Sequence, residues 1–157
     1  MKFEWNNIEV LVGNMRDDCR ATENLMQFKY DAVVSISRGG CIPGTMLAYL
    51  LDLPMFVAGV NMYTADDKPT DDVVVRQKLY LPEDVESIII VDDISDRGDT
   101  LNYTWNCYND NCKWIKNIST ATLCTRHSSK FVPTFPGIKI DHDDWITFPW
   151  DTPKSSK

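Results

Sequence analysis

The sequence predicts an α/β domain with a mostly parallel central sheet flanked by helices. Three observations carry this. Short apolar runs alternate with segments of helical periodicity. Polar loops leave the ends of two of those runs, at Ser37 and at Asp92, and ligands of parallel sheets gather at such ends. The chain has 157 residues, 43% of them hydrophobic, enough for one packed core. A single domain over 1–157 is expected.

The elements follow in order. Ile8, Leu11, Val12, Met15 and Cys19 fall at three- and four-residue steps, so an amphipathic helix is expected over about 8–26. Residues 32–37 form a short apolar run ending in "SRGG", a buried strand entering a loop. Residues 45–51 suit a helix, with Pro43 near its start. Residues 55–60 read as a second strand. The stretch 64–72, "TADDKPTDD", is polar and reads as a surface loop. Residues 73–80 read as a strand or hairpin arm. Residues 87–91 are the clearest strand, a helix is expected over about 100–108, and 118–124 form another strand. Residues 133–153, rich in Pro, Trp and Asp, read as irregular.

The formal charge is −7, with 23 acidic and 16 basic residues, which argues against a nucleic-acid-coating surface. A local basic pocket for a phosphorylated small molecule is compatible with it. Five cysteines without a C-x-x-C pair, and only His127 and His142, argue against a zinc site and a disulfide framework. Free thiols suit a reducing compartment. No apolar run approaches a membrane span, and the N-terminus has no signal-peptide pattern, so a cytoplasmic protein is expected.

The stretch from Ile88 to Leu101, "IIIVDDISDRGDTL", carries the chemistry. Two unit charges ~4 Å apart repel by about 4 kcal/mol at an effective dielectric of 20. Asp92, Asp93 and Asp96 at a strand end therefore need a divalent cation or donors such as sugar hydroxyls. Arg97, Gly98, Asp99 and Thr100 then turn into a helix start, where backbone N–H groups and the helix dipole favour an anion. The alternative is a solvated acidic helix N-terminus, where aspartates are favoured anyway.

This stretch resembles the phosphoribosyl-diphosphate (PRPP) signature of type I phosphoribosyltransferases: an apolar strand, two acids, two spacers, an Asp, then a turn closing with Thr. Ser37, Arg38, Gly39 and Gly40, followed by "CIPG", are similar to that family's diphosphate loop, which can hold a non-proline cis peptide. Its glycines let backbone approach phosphate oxygens, and Arg38 adds a fixed charge. The segment "DWITFPWD", 144–151, is similar to the C-terminal hood of the bacterial xanthine-guanine members.

The resemblance implies a type I phosphoribosyltransferase fold with a hood built mainly from about 126–153 and a flexible lid. It implies a Mg²⁺-dependent enzyme that joins PRPP to a 6-oxopurine, and self-association as a dimer or tetramer. Neither nucleic acid nor membrane is an expected partner. Asp92 and Asp93 would hold the ribose hydroxyls or the metal, with Asp151 a further candidate ligand beside Asp93. The turn from Asp96 to Thr100 would take the 5′-phosphate, and Asp96 would act as general base at the purine. Trp145 would stack on the base, and the Ile146 carbonyl would accept from it. Phe148 and Trp150 read as packing aromatics.

The sequence departs from the family pattern in three places. Arg126 stands where a purine-reading lysine is expected; its donors suit a 6-oxo group and oppose adenine's amino group. Asp99 puts a carboxylate into the phosphate turn. The lid is read only loosely, opening at Met62, Tyr63 and Thr64, with Arg76 or Lys78 able to reach the diphosphate. Rival readings are a non-catalytic PRPP-binding regulator and a phosphoribosyltransferase for another base.

Overall fold

A computed structural model describes residues 1–63, 69–77, 79–141 and 145–151. Five strands form one parallel sheet in the order β2-β1-β5-β6-β7: β1 is Ala32–Ile36, β2 Met55–Ala58, β5 Ser87–Ser95, β6 Asn117–Arg126 and β7 Ile138–Ile140. Strands β3 (Val60–Tyr63) and β4 (Pro69–Val75) pair antiparallel beside it. Helices α1 (Trp5–Met26), α2 (Cys41–Leu51) and α3 (Asp99–Asn111) cover the sheet.

The period-2 alternation of the strands sorts the core into two layers. Val33, Ile89, Val91 and Leu123 face α1 and α2, packing on Ile8, Val12, Met15 and Leu47. Ala32, Val34, Ile88 and Ile90 face the other way, onto Leu101 and Tyr108 of α3 and onto Leu81. Strands covered on both faces read as unbroken apolar runs, which is why "AVVSI" and "SIII" carry no alternation.

Several boundaries move from the sequence expectation. Helix α1 begins at Trp5 because Glu4 and Asn7 cap it reciprocally, the Asn7 Oδ1 accepting from the Glu4 N–H at 2.8 Å. Helix α2 begins at Cys41, directly off the glycine turn, with Pro43 in its first turn where a missing N–H costs nothing. The second strand is broken at Gly59 into β2 and β3. Residues 69–72, expected as loop, belong to β4; 64–68 lie outside the described residues. The strand expected from 73 ends at Val75.

The two largest shifts position the site. Strand β5 does not stop at Val91 but pairs with β6 up to Ser95↔Thr125. Its apolar pattern ends before its backbone ladder does. Strand β7 sits within the segment expected to be irregular, pairing Cys124↔Ile138 to Arg126↔Ile140. At three residues it is too short to display a period.

Candidate functional site

The ladder of β1 with β5 closes at Ser35↔Val91, one step short of the carboxylates, so from Asp92 onward β5 is paired only on its β6 side. The turn 37–40 folds into the flank left open. A Cβ on Gly40 would lie 2.3 Å from the Val91 carbonyl oxygen and 2.9 Å from the Asp92 Cα. One on Gly39 would lie 2.1 Å from Asp93 Oδ2. Both residues must be glycine for the turn and the carboxylates to meet. The Gly40 N–H donates to the Ile36 carbonyl and the Cys41 N–H to that of Arg38, closing the turn onto α2. The Ser37–Arg38 peptide is cis, the feature the diphosphate-loop resemblance implies. Arg38 is exposed, with no ion pair among the described residues.

Asp92 is buried and its Oδ1 accepts from the Asp93 N–H at 2.9 Å. Burial, and then the charge of Asp93, push the Asp92 carboxyl well above the ordinary range. Burial pushes Asp93 up to about 6, and the charge of Asp151 adds to the rise against the Ile94 N–H that lowers it. A hydrogen bond between the two side chains raises Asp92 and lowers Asp93, and a cation or donor-rich ligand would favour both in the ionised form. Hard carboxylate oxygens suit Mg²⁺, so the residues fit the metal implied above.

The turn 96–100, which the resemblance gives to the 5′-phosphate, lies just beyond. Gly98 adopts φ +86° and caps α3, and the Asn102 N–H donates to its carbonyl at 3.0 Å. The Lys130 N–H donates to the Arg97 carbonyl at 3.0 Å. Ser95 Oγ bonds Ser129 Oγ (2.8 Å) and the Phe131 carbonyl (3.0 Å), tying the segment after β6 beneath the turn. Nothing in the apolar pattern pointed to Ser95, Ser129 or Phe131, because the contact is made by hydroxyls and backbone. Arg97 Nε pairs with Asp99 Oδ2 at 2.9 Å, so the carboxylate that departs from the family pattern is engaged by its own turn. Thr100 is half-buried in the first turn of α3.

Arg126 ends β6 and pairs with Asp96, Nε to Oδ1 at 2.5 Å. The two stand one step beyond Ser95↔Thr125 on adjacent strands, so the ladder itself brings them together. Of the hood residues, Trp145 is 75% exposed while Ile146 is buried. The chain start holds them: Met1 N-terminus to the Trp145 carbonyl (2.9 Å), Phe3 N–H to the Thr147 carbonyl (2.9 Å) and Thr147 N–H to the Met1 carbonyl (3.0 Å). Phe148 stacks between Phe3 and Trp150, as packing aromatics do. Asp151 Oδ2 accepts from the Phe148 N–H at 2.7 Å, so one of its oxygens already closes the hood turn while its charge reaches Asp93.

Of the lid residues, Met62 and Tyr63 lie in β3, and the Arg76 N–H donates to the Gly59 carbonyl. Thr64 and Lys78 lie outside the described residues. A groove of about 510 Å³ beside Thr45, Tyr49, Asp52 and Met55 lies at the far end of α2, away from these groups. Among the described residues, no helix is long and apolar enough to cross a membrane.

The phosphoribosyl transferase domain profile matches residues 4–157. The chain belongs to the phosphoribosyltransferase family. Its fold is that of the type I members, a mostly parallel sheet with flanking helices. The chain is 29% identical over 151 residues to a xanthine-guanine phosphoribosyltransferase of Vibrio atlanticus, covering 94% of this chain and 90% of that one. It is 30% identical over 140 residues to a protein of the same name from Vibrio parahaemolyticus, covering 87% and 84%. Among solved structures, a purine phosphoribosyltransferase from Pyrococcus horikoshii superposes with a TM-score of 0.73 at 26% identity, covering 100% of this chain and 98% of that one.

Proposed function

We propose that this phosphoribosyltransferase transfers the 5-phosphoribosyl group of PRPP to a 6-oxopurine (guanine, xanthine or hypoxanthine), releasing diphosphate and so reusing preformed bases. The observation that carries this reading is the contact of Gly39 with the Asp93 carboxylate. It joins a glycine turn suited to diphosphate and an acid pair suited to a sugar diol into one wall. The purine names of the relatives agree with it.

In this reading Asp92 and Asp93 hold the ribose hydroxyls, or the water shell of Mg²⁺, with Asp151 beside them. Mg²⁺, when bound, offsets charge on the diphosphate. The exposed Arg38 guanidinium and the backbone of Gly39 and Gly40 stabilise charge on the leaving diphosphate as the bond to the anomeric carbon breaks. The turn from Asp96 to Thr100 anchors the 5′-phosphate. Asp96 takes the proton from the purine N7 as N9 attacks. Arg126 donates to the 6-oxo group and orients Asp96 through their ion pair. The exposed Trp145 ring stacks on the base, contributing ~1–3 kcal/mol by analogy with base–aromatic stacking, and the Ile146 carbonyl accepts from a purine N–H. The enzyme acts as a homodimer or homotetramer.

The test is a spectrophotometric assay with PRPP, Mg²⁺ and each of guanine, xanthine, hypoxanthine, adenine and uracil. Nucleotide from 6-oxopurines alone is the expected result. Product from adenine or uracil instead would move Arg126 out of its role. PRPP binding with no product from any base would make the protein a sensor.

A further inference from the structure

We infer that Asp99 sets the affinity of the phosphate turn by competing with the 5′-phosphate for Arg97. The inference rests on the reading that residues 96–100 receive the 5′-phosphate of PRPP and of the product nucleotide.

The two side chains are paired at 2.9 Å, with Arg97 53% and Asp99 39% exposed. They stand two residues apart, a spacing that does not bring side chains together on a helix. Gly98, at φ +86°, makes the turn that does so. The backbone of this turn has little freedom to change. Lys130 donates to the Arg97 carbonyl, Asn102 donates to that of Gly98, and a Cβ on Gly98 would lie 2.7 Å from both the Phe131 nitrogen and Ser129 Oγ. The side chains, by contrast, reach solvent and can exchange partners.

Asp99 is also the first residue of α3, where the helix end favours an anion. Its carboxylate therefore engages the Arg97 Nε and stands in the first turn of the helix, and an incoming phosphate would use both that guanidinium and that helix end. A phosphate dianion carries more charge than a carboxylate and displaces it. The displaced carboxylate remains attached next door, and its repulsion persists. Every ligand with a 5′-phosphate is weakened, and the product nucleotide leaves sooner. Ligands without that phosphate are untouched.

The experiment is calorimetric titration of guanosine 5′-monophosphate, Mg²⁺–PRPP and guanosine into the wild type, Asp99→Asn, Asp99→Glu, Arg97→Gln and the double variant Arg97→Gln/Asp99→Asn. Asp99→Asn is expected to bind the monophosphate and PRPP about tenfold tighter, equivalent to about 1.4 kcal/mol, with guanosine unchanged. Asp99→Glu keeps the charge and is expected to show no such gain. In the Arg97→Gln background the gain from Asp99→Asn is expected to shrink to twofold or less, because the contested group is gone. Unchanged or weaker monophosphate binding by Asp99→Asn, with binding still weakened by Arg97→Gln, would overturn the inference and leave the phosphate-turn reading standing. A full gain in the Arg97→Gln background would overturn competition in favour of simple repulsion. A wild type that binds PRPP, with its monophosphate affinity indifferent to every change at 97 and 99, would remove the turn from the phosphate site and the inference with it.

Discussion

Nε of Arg126 lies 2.5 Å from Oδ1 of Asp96, linking the last residue of β6 to the first residue beyond β5. The guanidinium side chain is 11% exposed and the carboxylate 56%. A well-packed cation therefore fixes the direction of an acid that remains open to a ligand. For a base acting at the purine N7, direction matters as much as proton affinity.

Asp96→Asn keeps the shape and removes the proton acceptor. Its turnover is expected to fall by ~10²–10⁴, while Mg²⁺–PRPP binding stays within a few-fold, since the acid pair and the glycine turn are unaltered. Steady-state kinetics together with PRPP titration check this. Turnover within threefold of wild type would take the base assignment away from Asp96.

Gly39→Ala tests the wall formed by the two loops. The new Cβ would stand 2.1 Å from Oδ2 and 2.4 Å from Cγ of Asp93, so the carboxylate must leave its place. A rise of at least tenfold in the PRPP KM is expected, with a Tm lowered by only a few degrees. Gly44→Ala makes the contrast. Its Cβ would meet Ser35 Oγ at 1.9 Å, where α2 packs on β1, and overpacking of that kind costs ~1–3 kcal/mol of stability. A Gly39→Ala protein with an unchanged PRPP KM would separate the turn from the sugar site.

The sheet and most of its helices were legible because burial on two faces leaves unbroken apolar runs and burial on one leaves a helical period. The ends of elements were less so. The backbone ladder of β5 runs on through Asp92, Asp93, Ile94 and Ser95 after its apolar run has ended. Capping by Glu4 and Asn7 starts α1 at Trp5, ahead of its first buried position, Ile8. At the site, the acid spacing and the "SRGG" turn were visible as motifs, but their contact is a long-range fact set by the β1–β5 register. The pairings Arg97–Asp99 and Arg126–Asp96 depend on a positive-φ glycine and on strand register, neither of which a residue list displays.

Asp93→Asn is expected to stabilise the ligand-free protein while abolishing transfer. Burial raises Asp93 to about 6 from an ordinary 3.8. Between those values the folded state binds a proton that the unfolded chain has lost, so stability falls as pH rises through that window and stays lower above it. A shift of this size corresponds to about 3 kcal/mol at most, reduced where solvent reaches the group. Urea unfolding at pH 4, 6 and 8 should show the variant gaining on the wild type as pH rises. A gap of constant size across the three would mean that Asp93 carries no such penalty.

Glu23 shows the opposite sign, away from the site. Its side chain is 1% exposed, and it accepts from the Tyr30 N–H (2.9 Å), from Arg20 Nη1 (2.9 Å) and from Lys29 Nζ (3.4 Å). Burial alone would raise its carboxyl, but the Tyr30 N–H and the Arg20 guanidinium outweigh burial and hold it below 4.5. A lowered folded-state value contributes stability above the unfolded pKa and loses it as pH falls through the folded one. Glu23→Gln keeps an acceptor for Tyr30 but gives up the charge that Arg20 and Lys29 face. It is expected to cost ~1.5–3 kcal/mol at pH 7, or roughly 3–12 °C in Tm for a chain of this size. The difference from wild type should shrink as the pH falls below 4.5 toward the lowered folded-state value, because the unfolded chain takes up its proton first and below the folded value both proteins carry a neutral group there. Thermal unfolding of both proteins from pH 7 down to 3 measures it. A difference that held its full size at pH 3 would show that Glu23 stabilises the α1–β1 connection by packing and neutral hydrogen bonds rather than by its charge.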